Sequence, residues 1–242
     1  MIKMISERDR IKKKIKQISP KRWMADDFDV RYYLISKLKQ EKNKTILDVG
    51  GGIGIILSEL DKKNYRVNID LSLDDLKKCF NDLDSEINPI CASITFLPFK
   101  EDIFDIVICS HVIELAKLMD INKKINGEQG SENVLTLVKE THRILKNKGK
   151  LFLTTPNYEY RHSPNKLTFS ELNHALSKFF KDFKIHFYNT LPKLKNNRKF
   201  DLANMMPKIR SKFSNPDNVI NSLLKEQSNN NYSVYFYAYA KK

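Results

Sequence analysis

The sequence predicts a single α/β domain built on a mostly parallel sheet, and three observations carry that expectation. The run Thr45-Ile46-Leu47-Asp48-Val49 is apolar and β-prone without helical period, as a buried parallel strand is. Four glycines in five residues follow it, Gly50, Gly51, Gly52 and Gly54, in a chain that has only seven. Ile55, Ile56, Leu57 and Leu60 then resume at spacings suited to a helix packed on a sheet. One or two glycines suffice for a tight turn. Four point to a backbone that another group approaches closely, and a nucleotide-like ligand fits that need.

The remaining elements follow in chain order. Ile11, Ile15 and Ile18 form a narrow apolar stripe that Ser19-Pro20 stops. Trp23 and Met24 link it to a second helix carrying Phe28, Tyr32, Ile35 and Leu38, which Asp26 or Asp27 can cap. Residues 65–70, Tyr65-Arg66-Val67-Asn68-Ile69-Asp70, read as a second strand ending in an acid, twenty residues after Gly50. Ser72 and Asp75 then have the spacing of a helix start. A third strand lies near Pro89-Ile90-Cys91-Ala92, a fourth spans residues 104–110, and a fifth spans residues 149–154. A sixth is expected at about 182–189 and a last at residues 232–240.

The glycine spacing separates two ligand classes. A dinucleotide fingerprint, G-x-G-x-x-G/A, counted from Gly50 and Gly52 would put Ile55 where a small residue must pack. The pattern present is Asp48-x-Gly50-x-Gly52-x-Gly54. It resembles motif I of the class I (seven-strand) S-adenosylmethionine-dependent methyltransferases. Further along, Leu97-Pro98-Phe99, Phe104-Asp105, an apolar strand and Ser110-His111-Val112-Ile113-Glu114 resemble the later motifs of the small-molecule type of that family. The resemblance spans residues 45–155.

It implies a Rossmann-like three-layer sandwich with a seven-stranded sheet, order 3-2-1-4-5-7-6, strand seven antiparallel. It implies S-adenosyl-L-methionine as cofactor, with Asp48 at its methionine end and Gly50, Gly51, Gly52 and Gly54 along its path. Asp70 would hold the ribose hydroxyls beside Leu71, and Ser93, Ile94 and Ser110 complete the expected contacts. Where Ser93 stands the family often has an acid facing the adenine amino group, so a hydroxyl and the backbone at Ile94 would read that edge here.

Absent motifs narrow the chemistry. No Asn/Asp-Pro-Pro-aromatic motif ends strand four, no Pro-Cys nucleophile stands in the chain, and no Asp/Asn cluster suggests a metal-dependent enzyme. Direct in-line transfer driven by positioning remains. His111, after strand four, and His162, in the loop after strand five, are the candidates for a general base; a hydrogen-bonded loop residue is the alternative for each. His142, His174 and His186 read as structural.

The net charge of +14 is uneven: +8 in residues 1–44, −1 in residues 45–189 and +7 in residues 190–242. Basic flanks suit a polyanion, a phosphorylated substrate or an anionic membrane surface, or are simply solvated. Residues 1–44 are expected to form a helical lid, 45–189 the cofactor-binding core, 190–231 an insertion that caps the substrate, and 232–242 the final strand. A second lengthened connection is expected at residues 116–132. Cys79, Cys91 and Cys109 have neither an even count nor metal spacing, and no apolar run is long enough to span a bilayer. A reduced cytoplasmic protein is therefore expected. The acceptor is expected to be a small molecule, such as a hydroxyl or carboxyl on a glycan or lipid-linked precursor. RNA is the rival acceptor, and a non-catalytic module that binds the cofactor and RNA or a protein partner is the rival class.

Overall fold

The computed structural model describes residues 10, 11, 13, 14, 17, 25–125, 132–157, 166–188, 226–227 and 235–242. Its helices are α1 (Ala25–Leu38), α2 (Ile55–Ser58), α3 (Leu73–Lys78, continued by a π-helical turn over Cys79–Leu83), α4 (Ile113–Ile125), α5 (Asn133–Ile144) and α6 (Phe169–Ser177). Its strands are β1 (Thr45–Val49), β2 (Tyr65–Asp70), β3 (Ile87–Cys91), β4 (Phe104–Ser110), β5 (Leu145–Pro156), β6 (Asp182–Tyr188), β7 (Glu226–Gln227) and β8 (Tyr235–Lys241).

One sheet holds them in the order β3-β2-β1-β4-β5-β8-β6-β7. The first five strands pair in parallel, and β8 is antiparallel to both β5 and β6. With β8 as the seventh predicted strand, this is the expected order. The addition is the two-residue β7, antiparallel to β6 at the outer edge.

Successive strand residues face opposite sides of a sheet, and this divides the core in two. Ile46, Ile106, Ile108, Phe152, Tyr235 and Tyr237 face α1 and α2 with Ile11, Tyr33, Leu34 and Leu38. Leu47, Val49, Val107, Cys109, Leu151, Leu153, Phe236 and Ala238 face the other way, against Ile113, Leu137, Val138, Leu172 and Leu176. Alternation in β8 is complete, with tyrosines on one side and Phe236, Ala238 and Ala240 on the other. Among the described residues no helix is long and apolar enough to cross a membrane.

Four local expectations are corrected. The helix after the glycine turn is a single turn, because the N–H groups of Glu59 and Leu60 close onto the carbonyls of Ile56 and Leu57, three residues back. Helix α1 includes Ala25, so Asp26 and Asp27 lie inside it rather than at its cap. Residues 116–125 continue α4, so the first half of the supposed insertion is regular helix. Strand β5 begins at Leu145, four residues early. Leu145 pairs with Phe104, and the polar residues after it bulge before Lys150 resumes the ladder opposite Ile106. His162 and nearly all of residues 191–231 lie outside the described residues.

The glycine turn is dictated by crowding as much as by conformation. Gly50, Gly52 and Gly54 have φ of 67°, 56° and 74°, a region unfavourable to side chains. A Cβ on Gly54 would also stand 2.6 Å from Cys79 Sγ. Gly54→Ala is therefore expected to destabilise the protein by about 2–4 kcal/mol, combining left-handed strain with overpacking. Adding Cys79→Ala should recover the packing part and leave the backbone part. Chemical denaturation of the two single variants and the double variant checks this, and strictly additive effects would refute the contact.

Candidate cofactor and active site

Three parallel strands end side by side here, and each delivers a polar group. Asp48 in β1 stands in register with Asn68 in β2, so both side chains lie on the same face beneath the glycine turn. Asn68 Nδ2 donates to the carbonyl of Gly52 at 2.7 Å, which fixes the turn from below. A Cβ on Gly51 would lie 2.3 Å from Asn68 Oδ1 and 2.7 Å from Asp48 Oδ2. Gly50 faces the other way, where a Cβ would meet Val112 at 2.4 Å. The turn is thus gripped between β2 and the start of α4.

Gly52 differs from its neighbours. A Cβ there would reach only Asp70 and Asp75, each at 4.0 Å, so this glycine borders open space rather than protein. Its N–H donates to Asp70 Oδ2 at 2.9 Å, and Asp70 Oδ1 accepts from the N–H of Ser72 at 2.8 Å. Each carboxylate oxygen keeps a second lone pair for a hydroxyl. Ser72 caps α3 as its spacing suggested, its hydroxyl accepting from the N–H of Asp75 at 3.3 Å.

Asp48 is the most perturbed acid of the site. It is 1% exposed, and its Oδ1 and Asn68 Oδ1 are both buried without a hydrogen-bond donor. Burial pushes its carboxyl up to about 7; Arg31 on α1 opposes the shift and the charge of Asp70 adds to it. An unsatisfied buried carboxylate beside an open glycine is a receptor for a cation or a strong donor.

Leu71 and Ile94 flank the outer end of this cradle. Leu71 is 64% exposed, and Ile94 Cγ2 lies 3.9 Å from the Gly50 Cβ position. The Ser93 hydroxyl shares a hydrogen bond with Thr95 Oγ1 at 3.0 Å. Ser110 ends β4, buried, with its Oγ 3.0 Å from Thr154 Oγ1 on β5.

Beyond Ser110 the chain turns sharply, and His111 takes φ of 57°, rare for a side chain with a Cβ. Its N–H donates to the carbonyl of Thr154 at 2.9 Å. Its Nδ1 lies 3.4 Å from Glu114 Oε1, and Glu114 Oε2 accepts from Thr155 Oγ1 at 3.1 Å. The ring meets Tyr235 edge to face at 5.2 Å, with only 8% of the side chain exposed. His142 and His186 pack against Phe180 and Tyr237.

Asn68, Asp75, Val112 and Glu114 belong to this site but were not among the contacts expected from the sequence. Asn68 had one signal, a polar residue at an inward position of an apolar strand.

Comparison with known proteins agrees with this geometry. A sequence model of the family described as "Methyltransferase domain" matches residues 47–153. A protein of Methanocaldococcus jannaschii, described as uncharacterized, is 34% identical over 124 residues, 51% of this chain. The chain spans 46% of that relative's length. Among solved structures, a SAM-dependent methyltransferase from Archaeoglobus fulgidus superposes with a TM-score of 0.57 at 17% identity, covering 94% of this chain and 97% of that one. Another from Aquifex aeolicus gives 0.55 at 14%, covering 98% and 99%. Residues 47–153 match a methyltransferase domain, and the chain has the fold of S-adenosylmethionine-dependent methyltransferases. The cofactor of such a domain is S-adenosylmethionine, and the residues present fit it: a buried acid without a donor, a glycine bordering open space, and an acid with free lone pairs at the next strand end.

Two outcomes are expected from the acids. The folded Asp48 holds a proton that the unfolded chain releases near its ordinary value of 3.8, so its contribution is full at low pH and lost as pH rises towards about 7. The loss is bounded at about 4 kcal/mol. Asp48→Asn should therefore raise the melting temperature of the cofactor-free protein at pH 8 and leave it nearly unchanged at pH 4, while weakening cofactor binding. Equal shifts at both pH values would refute the burial argument. Asp70→Ala should weaken cofactor binding by roughly 2–4 kcal/mol, read by calorimetry; unchanged affinity would leave Asp70 as a loop tie alone.

Proposed function

We propose that this protein transfers the cofactor's methyl group to a small-molecule acceptor, a hydroxyl or carboxyl on a glycan or lipid-linked precursor, by direct in-line displacement. The observation that favours a small acceptor over RNA is the state of the N-terminal basic flank. Arg10 and Lys14 both pair with Glu59, whose side chain is 6% exposed, and Ile11 between them is fully buried. These two cations are partly neutralised by a nearly buried acid although Arg10 stays half exposed, and that pairing competes with any phosphate they would meet. Helix α1 then acts as a lid packed on the cofactor's side of the sheet. Tyr33 of α1 meets Tyr237 edge to face at 5.2 Å, which supports that placement.

Positioning supplies most of the rate, since effective molarities for aligned reactants reach about 10⁵–10⁸ M. For a hydroxyl acceptor, His111 is the base among the described residues. Glu114 faces its Nδ1, which leaves the buried Nε2 as the nitrogen to take the acceptor's proton. Transfer of the methyl group makes the acceptor oxygen positive, and the hydroxyl proton leaves to His111.

The test is label transfer. Incubation of the protein and methyl-labelled S-adenosylmethionine with a cell extract, followed by separation into low-mass, lipid, RNA and protein fractions, should place label in the low-mass or lipid fraction. Gly52→Val, which fills the space bordered by Asp70 and Asp75, should abolish it. Label concentrated in RNA would overturn the small-acceptor reading, and no transfer to any fraction would favour the non-catalytic module.

A further inference from the structure

Outside the cradle, the densest set of polar contacts lies behind the loop from β3 to β4. Arg143, in the last turn of α5, donates from Nη1 to the carbonyl of Phe99 at 2.7 Å and from Nη2 to that of Leu97 at 3.2 Å. The same guanidinium holds Glu140 one turn earlier, Nε to Oε1 at 2.8 Å and Nη2 to Oε2 at 2.7 Å. Glu140 Oε2 in turn accepts the N–H of Leu97 at 3.3 Å. Both polar groups of Leu97 and the carbonyl of Phe99 therefore end on one ion pair. Arg143 is suited to this because its planar fork reaches several acceptors at once, which a lysine cannot do.

The downstream half of the loop is fixed further. Leu97 is buried, Phe99 meets Phe104 edge to face at 4.8 Å, and the N–H groups of Asp102 and Ile103 donate to the carbonyls of Arg143 and Ile144. Upstream the ties are few. Ala92 donates to Asp70, and Phe96 donates to Ser93 at 3.3 Å while its own ring stands 75% exposed. Residues 93–96 thus span from the end of β3 to the ion pair, and their height over the glycine turn depends on both anchors.

We propose that Glu140 and Arg143 are positioning residues for the cofactor's purine: their clamp on Leu97 and Phe99 sets where Ser93 and the backbone of Ile94 meet its edge. The inference rests on the assignment of Ser93 and Ile94 as the purine contacts. Neither clamp residue touches the cofactor; both act through the loop. A pair that merely stabilised the fold would weaken every ligand alike. A pair that sets the height of a reading edge acts on discrimination between purines.

S-adenosylhomocysteine and S-inosylhomocysteine, which differ at the six-position of the purine, give the readout without any acceptor. Calorimetry on the wild-type protein should show a preference for the adenine form of about tenfold, the worth of one good hydrogen bond. In Arg143→Lys and in Glu140→Gln that preference should fall towards one. Amide exchange should quicken at residues 93–96 and stay unchanged in β4. Glu140→Gln keeps an oxygen for the N–H of Leu97 and serves alone if Arg143→Lys does not fold. A variant that keeps the preference, or loses affinity equally for both ligands, overturns the clamp. Absence of any preference in the wild-type protein overturns the purine assignment itself, and the clamp with it.

Discussion

The close crossing at the end of β1 is the constraint on which the rest of this structure depends. Gly50 sits so near Val112 that no Cβ fits between them, and Gly51 sits equally near Asp48 and Asn68. Three of the turn's residues take left-handed backbone to make this possible. The contact locks the start of α4 to the end of β1, so the glycine turn and the nearby His111 and Glu114 are held in fixed relation. Cys79, beneath Gly54, ties the same turn to the helix after β2.

That packing has an electrostatic counterpart. Asp48, Asp70 and Asp75 surround one short piece of backbone, and the first and last are almost wholly buried. Asp70 is satisfied by two N–H groups. Asp48 has no such relief, and burial keeps a proton on it to about neutral pH. Such an arrangement is unfavourable in an empty protein and favourable once a positively charged group arrives. In the proposed cofactor complex, the stability lost at Asp48 returns as binding selectivity.

Much of this was legible in the sequence for identifiable reasons. Glycines packed into five residues and an acid closing an apolar strand are residue types that few other structures require, so Asp48, Gly52 and Asp70 could be assigned to one cradle. Helix length could not be read. Ile55-Ile56-Leu57 is buried whether one turn or three follow, and the chain's exit depends on Glu59 meeting Arg10 and Lys14, partners some 45 residues upstream. The start of β5 was hidden because Lys146, Asn147 and Lys148 are polar and bulge out of the ladder. The glycines Gly127 and Gly130 make residues 116–132 read as a lengthened connection, although the helix runs to Ile125 and Ala116 packs in the core. Arg66 resisted reading altogether. It lies buried in β2 because Asp84, Glu86 and the carbonyl of Leu57 gather around it, and none of those is near it in sequence.

The strand order also imposes a sequence of assembly. Strand β6 has only β8 and β7 as neighbours, and both are synthesised after it. The half of the sheet that carries the cradle, β3-β2-β1-β4-β5, can pair as soon as β5 emerges, whereas β6 must wait for β8 to slot in beside β5. Until then the outer edge of β5 and both edges of β6 stay unpaired, which exposes them to association with other chains. A cofactor that grips the first half early would therefore help hold a partly made protein in its native register while the interior strand is still to come.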